Sequence, residues 1–493
     1  MNQLTTFELT SLARKALIEE DFAPDFPLSV DEAARALDER RIISNAGFGV
    51  KDLRALLWSS IDNASSLDLD QVEYAEKSPS GAIRLLIGIA EVDEFVPKGS
   101  PIDAFAARNT VSIYTGSRVF PMLPERLSTN LTSLLEDSDR LAIVTEIIIS
   151  QNGGVETIAI FRALVRNYAK LSYEEIGEWL DGNGEIPEAF AEIAGLEAQI
   201  RLQREAAQRL REFRKQNGAL EFETVEAKPV FEDDKIVDLK IEKRNSARDI
   251  IENFMVTANV EMAEFLEKRS VVSLRRVVKT PERWNRIVEI ARAFGEDLPE
   301  NPDSFALAEF LARRKSAAPA QFSDLSLSII KLLGASEYVV QQAGEQTDGH
   351  FGLAVSDYTH STAPNRRYAD LIVQRLVKAT LAGEPSPYNF EELSLIAEHC
   401  NARESASRKV ERQMRKTIAA GVMSARIGET FEAIVTGVTL KGTFARITNP
   451  PVDGRIVEGE AGLQVGEKVR VRLLKTEPER GFIDFARERL EAV

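Results

Sequence analysis

Cysteine is nearly missing from this 493-residue chain. Cys400 stands alone, and histidine occurs only at His350, His360 and His399. A single thiol permits no internal disulfide and no cysteine-based zinc site, and it points to a cytoplasmic protein. Positive charge is also in deficit. The 62 Lys and Arg stand against 78 Asp and Glu, a net −16 with a pI near 5.0, which excludes a protein that coats nucleic acid by bulk charge. A local basic channel stays compatible with that sum. No stretch approaches eighteen uninterrupted apolar residues, and the start MNQLTTFELTSLARK lacks the basic and apolar regions of a secretory signal. A soluble, unexported protein without membrane contact is expected. Internal repeats and low-complexity tracts are absent as well. What is present, 44% hydrophobic and 28% charged residues, is ordinary for a globular chain with a sizeable core. The length predicts one large domain with smaller attachments, or two to three domains.

Texture changes along the chain. Residues 1–50 read as polar and helical, with Pro24 and Pro27 dividing two segments and Ser29 to Glu32 forming an S-x-x-E capping box. From Ser59 the pattern predicts strands, with IRLLIGIA following the turn SPSG. TEIIIS and VETIAIF then flank QNGG as a hairpin. Helices are predicted over 172–182, 187–216, 246–268, 281–293, 303–314, 323–333, 365–382 and 390–420. After a boundary near 425, short strand patterns (FEAIVTGV, GTFARIT, KVRVRLL, GFIDFAR) predict a small β-barrel. The fold class is α+β: a mixed sheet surrounded by helices, then the barrel.

Two clusters carry chemistry. Asp62, Asp68 and Asp70 lie close together, and Asp68 and Asp70 share a face if that stretch is extended. Such oxygen-only ligands suit a hard cation, Mg²⁺ or Mn²⁺; the other reading is an ordinary polar loop. An EF-hand is excluded because its turn position falls on Leu67 rather than glycine. Far away, THSTAPNRRYADL places Pro364 before a helix expected to carry Arg366 and Arg367 in its first turn, where cations oppose the macrodipole. Guanidinium groups beside free helix N–H groups make a phosphate receptor, with surface salt bridges as the alternative.

With these stretches in view, the chain resembles ribonuclease II, the hydrolytic 3′-to-5′ exoribonucleases built on an RNB catalytic domain. The resemblance rests on SIDNASSLDLD (60–70), FPMLPERLS (120–128), AKLSYEEIGEWL (169–180), KRNSARDIIENFMVTAN (243–259), HFGLAVSDYTHSTAPNRRYADL (350–371) and RKVERQM (408–414), in the family's order. It implies an RNB domain over 51–425 and a carboxy-terminal OB-fold RNA-binding domain over 426–493, after the helical segment 1–50. It further implies that Asp62, Asp68 and Asp70, with Gln71 beside them, hold catalytic Mg²⁺, for which Mn²⁺ can substitute. Asp70, Arg366 and Tyr173 would form the catalytic group, Arg366 gripping the scissile phosphate. Tyr114, Glu252, Arg366, Arg367, Glu411 and Phe444 would contact RNA: Tyr114 by stacking on a base, Glu252 and Glu411 at the terminal nucleotide, and Phe444 from the barrel unless it is barrel core. The implied partner is single-stranded RNA, bound by a monomer.

Two departures from the family pattern follow. The family has a fourth aspartate where this chain has Gln71, whose amide supplies an oxygen but no charge, so one ion should bind less tightly. Glu73, on the same strand face if that stretch is extended, is the candidate compensation. About sixty residues precede Asp62, too few for the two cold-shock domains usual in the family. Residues 201–215 and 403–416 each hold six basic and two acidic side chains, and could either line an RNA channel or form solvated faces. The leading reading is therefore a Mg²⁺-dependent exoribonuclease releasing nucleoside 5′-monophosphates. An RNA-binding or regulatory protein on an RNB scaffold is the alternative, and a phosphohydrolase of small phosphoesters is more remote.

Overall fold

The computed structural model describes residues 4–39, 43–44, 49–224, 226–242, 244–345, 348–440 and 442–488. Part of the segment expected to be helical over 1–50 therefore lies outside the described residues. Within it, helices span Thr6–Glu19 and Leu28–Arg35. The capping box expected at Ser29 is not formed, because the helix is capped two residues earlier, at Pro27, whose carbonyl accepts from Val30 and Asp31. The box that does form is Thr5 with Glu8, each side chain answering the other's backbone N–H.

Strands β1 (Lys51–Asp52), β2 (Trp58–Asp62), β3 (Gln71–Lys77), β4 (Ile83–Ala90), β7 (Asp139–Ile149) and β8 (Val155–Ser172) make the main sheet in the order β1-β8-β2-β3-β4-β7. β5 (Ile113–Tyr114) and β6 (Val119–Phe120) form a separate short pair. β8 runs for 18 residues and pairs antiparallel with β7 along its first part, then parallel with β1 and β2. Both expected hairpins are present, β3–β4 and β7–β8. IRLLIGIA is almost wholly buried because both faces of the sheet are covered. One face packs against helices Pro101–Asn109 and Tyr368–Ala382 through Trp58, Val72, Leu86, Leu371 and Ile372. The other packs against helices Tyr173–Leu180, Leu196–Gln216 and Ser246–Glu267 through Ile61, Ala75, Ile87, Ile200 and Phe254.

The single helix expected over 187–216 is instead broken: one turn at 189–192 precedes helix Leu196–Gln216, because Gly195 stands between them at φ 87°, in the left-handed region. Helices Trp284–Ala293, Ser304–Ala317 and Pro319–Leu333 form a satellite with its own apolar centre at Phe310 and Ile329. Two further pairings had no sequence expectation: β9 (Glu226–Glu232) with β10 (Lys235–Glu242), and β11 (Ser273–Val277) with β12 (Glu337–Gln341). The 34-residue helix Phe390–Met423 buries Leu393, Ala397, Cys400, Arg403, Ser407, Val410, Met414 and Ile418, spaced at three- and four-residue steps that keep one stripe inward. Beyond it, β13 (Thr430–Thr439), β14 (Gly442–Thr448), β15 (Pro451–Glu458), β16 (Lys468–Glu477) and β17 (Phe482–Arg487) close a barrel in the order β13-β14-β15-β17-β16. Among the described residues, no helix is long and apolar enough to cross a membrane.

The QNGG turn illustrates how tightly local sequence and packing are joined. Gly153 has φ 85°, and a Cβ there would stand 2.2 Å from the Arg209 carbonyl oxygen, whereas Gly182, at φ 76°, has nothing within 4 Å. Gly182→Ala should therefore cost only the left-handed backbone penalty, about 1 kcal/mol. Gly153→Ala should cost more than about 3 kcal/mol, because backbone has to move. Chemical unfolding of the two variants beside the parent checks this, and equal losses would contradict it.

Candidate active site

β2 ends at Asp62, whose register partner on β8 is Ser172, the cap of helix Tyr173–Leu180. This ladder sets Asp62 beside Tyr173. The chain then loops through 63–70 before β3 begins at Gln71, so Asp68 and Asp70 are not on a strand as expected. The loop is nevertheless pinned: fully buried Leu69 donates its N–H to Ser133 Oγ at 2.9 Å, and its carbonyl accepts from Leu134 N at 3.0 Å. Asp62 Oδ1 accepts from Asn63 N and from Ser66 Oγ at 2.6 and 2.7 Å.

Asp70 is buried and meets the second sequence cluster. Its Oδ2 accepts from Arg366 Nε at 3.1 Å, and its Oδ1 from Asn365 N at 3.3 Å. Asn365 is held in turn by Thr132, whose Oγ1 donates to Asn365 Oδ1 at 2.5 Å. Arg366 and Arg367 are not in a first helical turn, which corrects the expectation. The helix starts at Tyr368 with Arg367 as its cap, because Ser112 N donates to Arg366 O and Val111 bridges Arg367, drawing the backbone out alongside residues 111–112. The Arg366 side chain stays 42% exposed, available to solvent and ligand. Arg367 pairs with buried Asp370 at 2.7 Å, so its placement is that of an internal ion pair.

Tyr114, on β5, is 43% exposed and donates from its hydroxyl to Asp68 Oδ2 at 3.3 Å. Its backbone N–H donates to Glu411 Oε1 at 3.2 Å, bringing helix Phe390–Met423 to the same place. Gln71 turns its Nε2 to the Ile61 carbonyl at 3.3 Å. The fold thus brings together Asp62, Asp68, Asp70, Gln71, Tyr114, Tyr173, Arg366 and Glu411. Glu252 is engaged elsewhere, in an ion pair with Arg244 at 2.8 Å. Phe444 is half-buried on the outer side of β14, opposite Arg455, between the inward-facing Thr443 and Ala445, and so is not barrel core.

Sequence reasoning missed the basic rim of this site. Lys170 Nζ donates to Ala64 O at 2.8 Å, Lys228 Nζ to Asn63 Oδ1 at 3.0 Å, and Arg248 Nη2 approaches the same oxygen at 3.5 Å. Arg248 also lies over the Tyr173 ring, 4.5 Å from its centroid. Arg248 sits inside KRNSARD and Lys170 inside AKLSYEE, stretches already singled out, whereas Lys228 arrives on a hairpin the sequence did not announce. The two basic segments behave differently from a simple channel lining. Over 201–215, Arg201, Arg209 and Arg211 pair with Glu197, Glu205 and Glu221, bracing the helix and its surroundings. Over 403–416, Arg408 pairs with Glu404 and Lys409 with Glu20, while Arg412 and Arg415 are exposed.

Electrostatically, the site holds more buried negative charge than its cations balance. Burial, with Asp68 adding to it, pushes the Asp70 carboxyl up to about 7 despite Arg366. Burial likewise raises Asp68, with Asp62 contributing. Glu73, fully buried on β3, is raised well above the usual range by burial and by Asp62, and neither of its carboxylate oxygens has a hydrogen-bond partner. Among the described residues, no three His, Cys, Asp or Glu side chains are gathered around one point. The donor set still fits a hard cation: every donor is oxygen, the carboxylates lie within electrostatic reach of one another, and a buried carboxylate is left unpaired.

Residues 50–383 match the RNB domain family, and residues 429–488 match the RNase II-type exonuclease C-terminal S1 domain. The chain is 30% identical over 504 residues to Ribonuclease R 1 of Lactococcus lactis, covering 96% of this chain and 60% of that protein. It is 28% identical over 498 residues to Ribonuclease R of Escherichia coli, covering 94% and 60% respectively. The chain thus spans about 60% of the length of these curated relatives. Among solved structures, the apo form of Mycoplasma genitalium RNase R superposes with a TM-score of 0.86 at 23% identity, covering 97% of this chain and 78% of that one. Yeast Ssd1, a pseudonuclease, shares the fold with a TM-score of 0.68 at 16% identity, covering 91% and 55%.

The Asp70 value fixes a pH dependence for the metal-free protein. Its carboxyl holds a proton in the folded state up to about 7 but in the unfolded chain only to about 3.8. The folded state therefore binds the extra proton between those values, and stability falls as pH rises through the window. Asp70→Asn removes that slope: in chelator the variant should be more stable than the parent above pH 7, by on the order of 2 kcal/mol, with the difference closing toward pH 4. Urea unfolding at pH 4, 6 and 8 checks it, and parallel pH profiles would refute it.

Proposed function

The chain belongs to the RNB-domain family of ribonucleases, and on that premise we propose that it is a hydrolytic 3′-to-5′ exoribonuclease that shortens single-stranded RNA to nucleoside 5′-monophosphates with a divalent cation, Mg²⁺ or Mn²⁺. The observation that carries this reading is the contact of Asp70 with Arg366 across 296 positions of sequence, inside a cluster that also holds Asp62, Asp68, Tyr114 and Glu411. A regulatory protein that only binds RNA would have no need of a phosphate-gripping guanidinium seated on a buried carboxylate.

Asp62, Asp68, Asp70 and the Gln71 carbonyl would hold the cation. When bound, it supplies Lewis-acid activation of the phosphodiester and of the attacking water. The remaining work falls to the chain itself. Arg366, half-exposed above Asp70, would grip two oxygens of the scissile phosphate, which a lysine does poorly. Tyr114 offers an exposed ring for a terminal base to stack on, its hydroxyl fixed by Asp68. Glu411, anchored to the Tyr114 backbone, is placed to accept from a 2′-hydroxyl, favouring RNA over DNA. Tyr173, held under Arg248 and within the field of Asp62, would line the floor beside the reacting phosphate. Lys170, Lys228 and Arg248 would receive the backbone phosphates that follow. In the carboxy-terminal barrel, Phe444 beside Arg455 offers a further stacking surface.

End-labelled single-stranded RNA incubated with Mg²⁺ tests the proposal. Mononucleotide should accumulate with the parent chain and vanish with Asp70→Asn, while RNA binding, read by anisotropy, persists and weakens with salt. Arg366→Lys should lower kcat by about 100-fold or more, since a bidentate contact becomes a point charge. Tight RNA binding by the parent, with no mononucleotide at any divalent concentration, would overturn the proposal in favour of a binding protein.

A further inference from the structure

Buried acids in this fold are normally matched by a cation. Asp370 pairs with Arg367, Glu91 with Arg162 and Lys378, Asp103 with Arg375, and Asp70 with Arg366. Among the described residues Glu261 has no paired cation but accepts from Thr157 Oγ1, and Glu73 has neither. It is 0% exposed, and neither carboxylate oxygen meets a donor. Gln203, on the helix that covers this part of the sheet, sends its Nε2 to Ser59 Oγ and to the Glu73 backbone carbonyl, not to the carboxylate. A carboxylate kept dry and unpartnered is among the most costly arrangements a core can hold, and neither packing nor hydrogen bonding within the chain offsets it here.

Its position supplies the reason. Glu73 follows Gln71 by two residues on β3, so the two side chains share one face of the strand, and both are buried. Gln71 reaches the Ile61 carbonyl, immediately before Asp62, and Glu73 is in register with Ser59 on that same strand. Asp62 is the charged group that acts on Glu73, and Tyr173 feels both carboxylates. The unpaired oxygens therefore belong to the Asp62 side of the carboxylate cluster, where the neutral amide of Gln71 brings no charge.

We propose that Glu73 is a carboxylate ligand of the divalent-cation site, supplying next to Asp62 the negative charge that Gln71 lacks; this rests on the reading of the cluster as a metal-dependent nuclease site. Glu73 is then a functional acid stored in a sheet core, and the cation is the partner that its oxygens lack within the chain.

Mn²⁺ binding to the full chain without RNA, followed by electron paramagnetic resonance of the free ion, separates the outcomes. The parent should bind Mn²⁺ saturably, Asp68→Asn should weaken binding, and Glu73→Gln should weaken it by about tenfold or more. Thermal unfolding adds a readout that a purely structural role would move the other way. Glu73→Gln should be at least as stable as the parent in chelator, yet gain less from Mn²⁺. Glu73→Asp, which keeps the charge on a shorter stem, should bind Mn²⁺ with intermediate affinity and serves where the amide variant does not fold. Parent-like Mn²⁺ affinity in both Glu73 variants, with Asp68→Asn still impaired, overturns this inference and leaves the nuclease reading standing. No saturable Mn²⁺ binding by the parent overturns both.

Discussion

The contact between Asp70 and Arg366 is the constraint around which the molecule is arranged. A carboxylate 4% exposed is costly without a cation, and here the cation comes from 296 positions later in the chain. Three separate supports make that meeting repeatable. The loop before Asp70 is clamped through Leu69 to Ser133 and Leu134. Asn365 is clamped to Thr132. The helix after Arg366 is driven into the main apolar core by Tyr368, Leu371, Ile372 and Leu376. The polar contact is thus aimed by apolar packing on both sides, and the guanidinium keeps one face open toward solvent.

Around that contact the charge distribution runs against the composition. The chain is acidic by 16 charges, yet the loop that carries the carboxylates is bordered by Lys170, Lys228, Arg248 and Arg366. In the proposed function these cations are placed to meet the phosphates of a strand that threads to the rim, and Glu242 holds Lys228 and Arg248 in position there. Much of the other basic sequence, such as Arg201, Arg209 and Arg211, is committed to ion pairs that brace helices.

What the sequence made legible follows physical range. Strands with strong apolar runs or clear turn residues, β3–β4 and β7–β8, could be read directly, as could the long helices with a continuous inward stripe. The carboxylates and arginines could be picked out because their types and motifs are unusual together. Features decided by tertiary contact were not readable. The backbone at Arg366 is drawn straight by residues 111–112 rather than coiling into the next helix, and the break at Gly195 needs a left-handed residue that local composition did not demand. The pairing of β11 with β12 spans a satellite of three helices, and Lys228 reaches Asn63 only because a short hairpin, itself weakly patterned, folds over the loop. Arg367 and Glu252, which the sequence offered as RNA contacts, are engaged within the chain by Asp370 and Arg244, a pairing that their motifs alone did not announce.

Helix Phe390–Met423 joins two apolar centres. Leu393, Ala397 and Cys400 enter the core of the main sheet, while Val410, Met414 and Ile418 enter the one shared with the barrel, and Glu411, next to Val410, accepts from the Tyr114 backbone. At 1.5 Å per residue its 34 residues form a strut of about 50 Å. Inserting or deleting a single residue midway would turn everything beyond by about 100°, swinging the barrel to another side of the molecule and taking Glu411 away from Tyr114. Exposed side chains along the strut are therefore free to vary, whereas its length and its inward stripe are not.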